Sequence, residues 1–212
     1  MIDYRVYLVT DDPSRYAGNW LDNVVAAVQG GVTCVQYRDT ESAPKVQYER
    51  ILRLKDALAP YKTPIVVNND AELAAAVNAA GVHVGQHDLA PVAARRIVGA
   101  ACEIGLSITE AGQVSDGLSR FRTGVVDCFG IGPVYDATKT KADAAHEMGL
   151  DGLHEIAALA PEVPNVAIGG ITPERAAGVI AAGAKGLAIV SAFSKADDPF
   201  AVARRFRKAF EK

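Results

Sequence analysis

The sequence predicts an α/β protein folded as a single (β/α)8 barrel, and three observations carry that expectation. Short β-branched or apolar runs alternate with longer helical patterns along the whole 212-residue chain, each pair taking the roughly 25–30 residues of a βα unit. Glycine phrases of one type recur just ahead of several strands. No glycine-rich dinucleotide fingerprint follows the first strand, where Val9-Thr10-Asp11-Asp12-Pro13 stands instead, and no P-loop occurs; this disfavours a doubly wound open sheet, the nearest competitor. Barrels of this kind begin at roughly 200 residues, so the length suffices for eight units, and residues 1–212 are expected to form one barrel domain.

In order, the eight runs are 6–10, 33–38, 65–68, 81–85, 104–107, 128–131, 166–168 and 187–190. Helical spacing fills the intervals, as in Leu21, Val24, Val25 and Val28, or Ile51, Leu52, Leu54 and Leu58, and a closing helix is expected over 199–210. The phrases Gln29-Gly30-Gly31-Val32, Ala79-Ala80-Gly81-Val82 and Ala181-Ala182-Gly183-Ala184 place a glycine where a left-handed residue would end a helix. Thr172 is expected to cap a helix that Pro173 opens.

Composition narrows the function. Hydrophobic residues make up 50% and charged residues 22% of the chain, and no apolar run approaches the roughly 18 residues of a membrane span. The opening Met-Ile-Asp-Tyr-Arg lacks the apolar stretch of a signal peptide, so a soluble, cytoplasmic protein is expected. With 22 basic against 25 acidic residues, the net charge of −3 provides no footprint for nucleic acid or anionic lipid. Cys34, Cys102 and Cys128 are odd in number and lie in apolar surroundings, which suits buried thiols in a reducing compartment. The sequence leaves open whether copies of the chain associate as a homo-oligomer.

In a barrel, chemistry sits at the C-terminal strand ends and the loops that follow, and polar residues collect there. The second run ends in Gln36-Tyr37-Arg38-Asp39, where alternation puts Gln36 and Arg38 on one face. The third ends in Asn68-Asn69-Asp70, the fourth continues into Gly85-Gln86-His87-Asp88, and the fifth finishes at Ser107. After the sixth come Gly132-Pro133-Val134-Tyr135 and a loop with Thr138, Thr140 and Lys141. Each has a plainer explanation: Asp70 as a helix cap, Asp88 as a turn residue, the two threonines as solvated loop residues, Lys141 as a surface charge. Their joint placement after successive strands favours one functional rim. Gly169 and Gly170 after the seventh run, and Val190-Ser191 after the eighth, leave open backbone N–H groups where barrels bind phosphate. Asp70 and Asp88 together suit one magnesium ion completed by substrate phosphates. Zinc held by His83, His87 and a cysteine is the weaker alternative, because His83 lies inside a strand. His146 and His154 stand alone and suggest no site.

These phrases resemble the thiamine phosphate synthase family. The matching segments are Val6-Tyr7-Leu8-Val9-Thr10-Asp11, Gln36-Tyr37-Arg38-Asp39, Asn69-Asp70, the stretch from Gly81 to Asp88, Gly105-Leu106-Ser107, Gly130-Ile131-Gly132-Pro133-Val134-Tyr135 and Ala167-Ile168-Gly169-Gly170-Ile171, in family order across almost the whole chain. The resemblance implies a transferase that joins an aminopyrimidine methyl diphosphate to a hydroxyethylthiazole phosphate, releasing pyrophosphate and forming thiamine phosphate. It implies that Gln36, Arg38 and Asn69 contact the pyrimidine diphosphate, that Ser107 assists at the pyrimidine, and that Asp70 and Asp88 hold magnesium. It further gives Thr138 and Thr140 to the thiazole phosphate, Lys141 to the diphosphate, and Gly169, Gly170, Val190 and Ser191 to the backbone phosphate site. By the same reasoning Arg38, Ser107 and Lys141 are the catalytic candidates.

Two departures from the family pattern stand out. Thr40 occupies a position where the family has lysine, removing one charged contact, which costs about 1.5–3 kcal/mol if nothing replaces it. The loop from Asp136 to Lys141 is one residue longer than the family pattern, so the threonine roles depend on its register. Two other functions compete with this one: a thiazole tautomerase on the same barrel, which tends to lose the carboxylates and the Gln-x-Arg pair, and a non-catalytic phosphate-ligand sensor, which needs only the two glycine loops. The retained carboxylates favour the synthase.

Overall fold

In the computed structural model, which describes residues 1–16, 18–136 and 146–211, eight parallel strands close into a barrel in chain order. They are β1 (Val6–Val9), β2 (Cys34–Tyr37), β3 (Ile65–Asn68), β4 (Gly81–Val84), β5 (Glu103–Ile108), β6 (Cys128–Ile131), β7 (Asn165–Ile168) and β8 (Leu187–Ile189), and β8 pairs back onto β1. Every expected run holds a strand, with no end shifted by more than one residue. Arg38 therefore lies just beyond β2 rather than inside it.

The strands are apolar nearly throughout because both faces are covered. Alternate residues fall into two packed groups. Tyr7, Val9, Cys34, Val66, Cys128, Val166 and Ala188 fill the barrel interior. Val6, Leu8, Val35, Tyr37, Val67, Val82, Val84, Ile104 and Leu106 face outward into the layer beneath the helices.

That outer layer comprises α1 (Trp20–Gly30), α2 (Pro44–Leu58), α3 (Ala71–Ala76), α4 (Pro91–Val98), α5 (Val114–Arg122), α6 (Gly149–Leu159), α7 (Ala176–Ala181), α8 (Ser191–Ser194) and α9 (Pro199–Lys208). Their starts follow the chain's capping chemistry: Asn19 Oδ1 accepts from Leu21 N at 2.9 Å, and Asp198 Oδ1 accepts from Ala201 N at 2.9 Å. At the other end of α1, Gly30 admits α9 so closely that a Cβ there would lie 2.3 Å from the Phe200 carbonyl oxygen. No helix among the described residues is long and apolar enough to cross a membrane.

Two local expectations are corrected. Gly31 (φ 119°) and Gly183 (φ 111°) are left-handed as expected, but Gly81 is not, and Asn78 (φ 49°) takes that role after the short α3. Gly81 instead opens β4, where a Cβ would come within 2.9 Å of the Glu103 carbonyl oxygen. Likewise α7 begins at Ala176 rather than beside Pro173. The Thr172 carbonyl accepts from both Arg175 N and Ala176 N, so residues 172–175 form a turn ahead of the helix. The N-cap position of α7 falls on Arg175, so Thr172 is not its cap.

Candidate active site

The C-terminal rim gathers the described candidates from successive strands. Gln36 is buried and its amide Nε2 donates to the Tyr7 hydroxyl at 2.8 Å inside the barrel. One residue past β2, the Arg38 backbone is clamped by buried Thr10: Thr10 Oγ1 accepts from Arg38 N at 2.8 Å and donates to Arg38 O at 3.0 Å. Among the described residues the Arg38 guanidinium enters no ion pair. Asp39 braces the turn behind it, taking Arg50 Nη1 at 2.7 Å, the Tyr37 hydroxyl at 2.9 Å and Ser42 N at 3.0 Å. Burial pushes the Asp39 carboxyl up, but the hydrogen bonds from Ser42 and Tyr37 outweigh it and hold the value at about 2. Thr40, exposed, has its hydroxyl 3.4 Å from Glu41 Oε1.

After β3, Asn69 adopts φ 63°, a left-handed conformation that asparagine tolerates better than most residues, and its N–H reaches the His83 carbonyl at 2.7 Å. That turn delivers Asp70 to the N-cap of α3, where Oδ1 accepts from Leu73 N at 2.8 Å. After β4, Asp88 Oδ2 accepts from Gly85 N at 2.7 Å. Both plainer explanations therefore hold: Asp70 is a cap and Asp88 a turn residue. Yet both side chains are exposed on the rim after adjacent strands, and among the described residues the second oxygen of each takes no protein hydrogen bond. Two hard carboxylates, each oriented by a backbone N–H and open on its other oxygen, fit a magnesium ion that keeps waters and draws further ligands from substrate phosphate.

The zinc alternative does not fit. No group of three or more histidine, cysteine or acidic side chains that could hold a metal occurs among the described residues. Cys34 and Cys128 sit in the barrel interior with thiol pKa values pushed up by burial, and His83 turns inward, its Nε2 3.1 Å from Ser107 Oγ.

On the far side of the rim, Gly169 (φ 106°) and Gly170 (φ 59°) are left-handed, and their missing side chains let the β6 loop pack against them. A Cβ on Gly169 would meet Pro133 Cβ at 2.6 Å and one on Gly170 would meet Tyr135 Cβ at 2.7 Å. Tyr135 N donates to Gly169 O at 3.1 Å, while Arg175 donates to Gly170 O at 2.7 Å and lies 4.2 Å from the Tyr135 ring centroid. These glycines thus join two loops of the rim. Val190 precedes the short α8, and its carbonyl accepts from Phe193 N at 3.0 Å and Ser194 N at 3.2 Å, so among the described residues the N–H groups of Ser191 and Ala192 are the ones left without a backbone acceptor. Thr138, Thr140 and Lys141 lie outside the described residues.

A family model described as thiamine monophosphate synthase matches residues 6–193, a span that contains every candidate named above. The chain belongs to the thiamine monophosphate synthase family. Its relatives include a thiamine-phosphate synthase of Chloroflexus aurantiacus, 42% identical over 207 residues, covering 98% of this chain and 93% of that protein. Another, from Laribacter hongkongensis, is 43% identical over 212 residues, covering 96% and 94%. Among solved structures, a thiamine phosphate pyrophosphorylase of Pyrococcus furiosus superposes with a TM-score of 0.84 at 28% identity, over 98% of this chain and 95% of that one.

Within this synthase-family barrel, sequence reasoning passed over three supporting residues. Thr10 clamps Arg38, Tyr7 orients Gln36, and His83 meets Ser107. Each sits inside or at the end of a strand, where an inward-facing polar residue is the signal. Gln86 adds a fourth contact, its amide donating to the Ser107 carbonyl at 2.6 Å.

Proposed function

We propose that the chain joins an aminopyrimidine methyl diphosphate to a hydroxyethylthiazole phosphate on this rim, forming thiamine phosphate and pyrophosphate. The observation that carries the reading is the placement of Gln36, Arg38, Asn69, Asp70, Asp88 and Ser107 in or just after β2, β3, β4 and β5, four successive strands of a closed barrel. The carbon–oxygen bond to the diphosphate breaks with its electron pair leaving on pyrophosphate, and the thiazole nitrogen forms the new carbon–nitrogen bond at the same methylene. No protein nucleophile is required. Arg38, with Lys141 as its expected partner, neutralises charge growing on the departing oxygens, a kind of stabilisation that is often the largest catalytic term. Asn69, Gln36 and Ser107 hold the pyrimidine so that the two substrates meet in line. The thiazole phosphate is assigned to Thr138 and Thr140 and to the backbone of Gly169, Gly170, Val190 and Ser191.

Asp70 and Asp88 would hold magnesium, which when bound supplies further charge neutralisation at the diphosphate. The reading includes a cytoplasmic setting, supported by three free, buried cysteines. Incubating the chain with both substrates, with magnesium or with a chelator, tests it: pyrophosphate release that requires magnesium is expected. Aromatisation of the thiazole phosphate without pyrophosphate release would instead make it a tautomerase. Binding without turnover would make it a ligand sensor.

A further inference from the structure

His83 takes no part in the reading above, yet the barrel is built around its ring. It projects inward from β4 in register with Gly105 on β5, and Gly130 lies opposite Ser107 on β6. A Cβ on Gly105 would lie 2.2 Å from His83 Nδ1, and one on Gly130 would lie 2.6 Å from Cε1 and 2.9 Å from Nε2. Two neighbouring strands therefore carry glycine where the imidazole lies. Glycine inside a strand loses packing and gains chain entropy on unfolding, so two of them mark a site where something must approach closely. The ring they admit ends at Ser107, with Nε2 3.1 Å from Oγ.

We propose that His83 is a positioning residue that fixes the Ser107 hydroxyl for the pyrimidine substrate. The inference rests on the proposed synthase reading and deepens it. An aminopyrimidine offers an amino group as hydrogen-bond donor, and where Ser107 Oγ accepts from it the hydroxyl directs its own hydrogen elsewhere. Among the described residues, His83 Nε2 is the acceptor within reach, and it accepts only as a neutral imidazole protonated on Nδ1. Burial supplies that state: it lowers the His83 pKa to about 4 against the opposing field of Asp88. The Gln86 bond to the Ser107 carbonyl fixes the backbone, leaving the hydroxyl direction to His83.

The test compares the wild-type chain with His83→Ala, His83→Leu, His83→Gln, Ser107→Ala and the His83→Ala/Ser107→Ala double variant, measuring kcat, KM for each substrate, and Tm. His83→Leu fills the cradle without an acceptor, so it carries the test if the alanine variant does not fold. His83→Ala and His83→Leu are expected to lose about 10-fold in kcat/KM for the pyrimidine diphosphate, the scale of one hydrogen bond, with KM for the thiazole phosphate unchanged. His83→Gln, whose amide oxygen can accept, is expected to recover most of that loss, and the double variant to be no worse than Ser107→Ala. Wild-type kinetics in His83→Leu, or a double variant showing the product of the two single losses, would overturn the positioning role. A wild-type chain that releases no pyrophosphate would instead overturn the synthase reading, and this inference with it.

Discussion

The two ends of the barrel treat their polar residues in opposite ways. At the N-terminal end they close on one another. Glu103 accepts from Ile2 N at 2.7 Å and the Tyr4 hydroxyl at 2.9 Å and lies 3.4 Å from the chain's amino group. Asp127 takes both Arg95 and Ile104 N, while Asn165 accepts from Lys185 N and Lys185 Nζ reaches the carbonyls of Pro161 and Val163. At the C-terminal end Asp39 is closed in the same way, but among the described residues others are oriented and left with capacity: one oxygen each on Asp70 and Asp88, the Arg38 guanidinium, and Asn69 in a left-handed turn. Polar groups that satisfy each other stabilise a fold, whereas polar groups aimed and left open bind something else.

The largest effect should come from breaking the open end at its carboxylates. Asp88→Ala is expected to abolish measurable pyrophosphate release and leave the circular dichroism spectrum unchanged, because the side chain is exposed and its one protein bond closes a local turn. Full activity in that variant would remove Asp88 from the proposed metal site.

A smaller effect separates backbone from side chain at Asn69. Asn69→Ala imposes left-handed strain of about 1–2 kcal/mol and should lower both Tm and turnover. Asn69→Gly keeps φ 63° accessible, so its Tm should stay near wild type while KM for the pyrimidine diphosphate rises. Wild-type kinetics in Asn69→Gly would show that the turn, and not the amide, is what matters. The smallest effect is expected at Thr40, which is exposed beside the rim. Thr40→Lys should preserve or modestly raise kcat/KM, and a clear loss would mean that this rim departs locally from the family arrangement.

The contrast between the ends also explains what could be read from the sequence. All eight strands were legible because parallel strands covered on both faces are apolar runs, and Gly31 and Gly183 marked helix ends correctly. Gly81 misled because a strand glycine admitting a neighbour's carbonyl looks, in sequence, like a helix stop. Pro173 misled because a proline-containing turn can precede a helix as readily as open it. The rim carboxylates were legible as types after strands, but a cap and a ligand carry the same letter, and only the geometry shows Asp70 with one oxygen committed. His83 was set aside as a strand residue. Its inward face became visible only once Gly105 and Gly130 were aligned beside it, a relation between residues far apart in the chain.

The division between the two ends puts chemistry at the open end and stability at the closed one. It is tested most directly by measuring pyrophosphate release and Tm on the same two variants, Arg38→Ala and Glu103→Ala. Arg38→Ala is expected to lose about 100-fold or more in kcat, as when one charge-stabilising donor is removed, with Tm within about 2 °C of wild type. Glu103→Ala leaves donors without their acceptor, a cost of about 1–3 kcal/mol, and should lower Tm by roughly 2–12 °C while turning over normally below its transition. Near-normal turnover in Arg38→Ala, or a matched loss of activity in Glu103→Ala at temperatures where it is folded, would contradict the division.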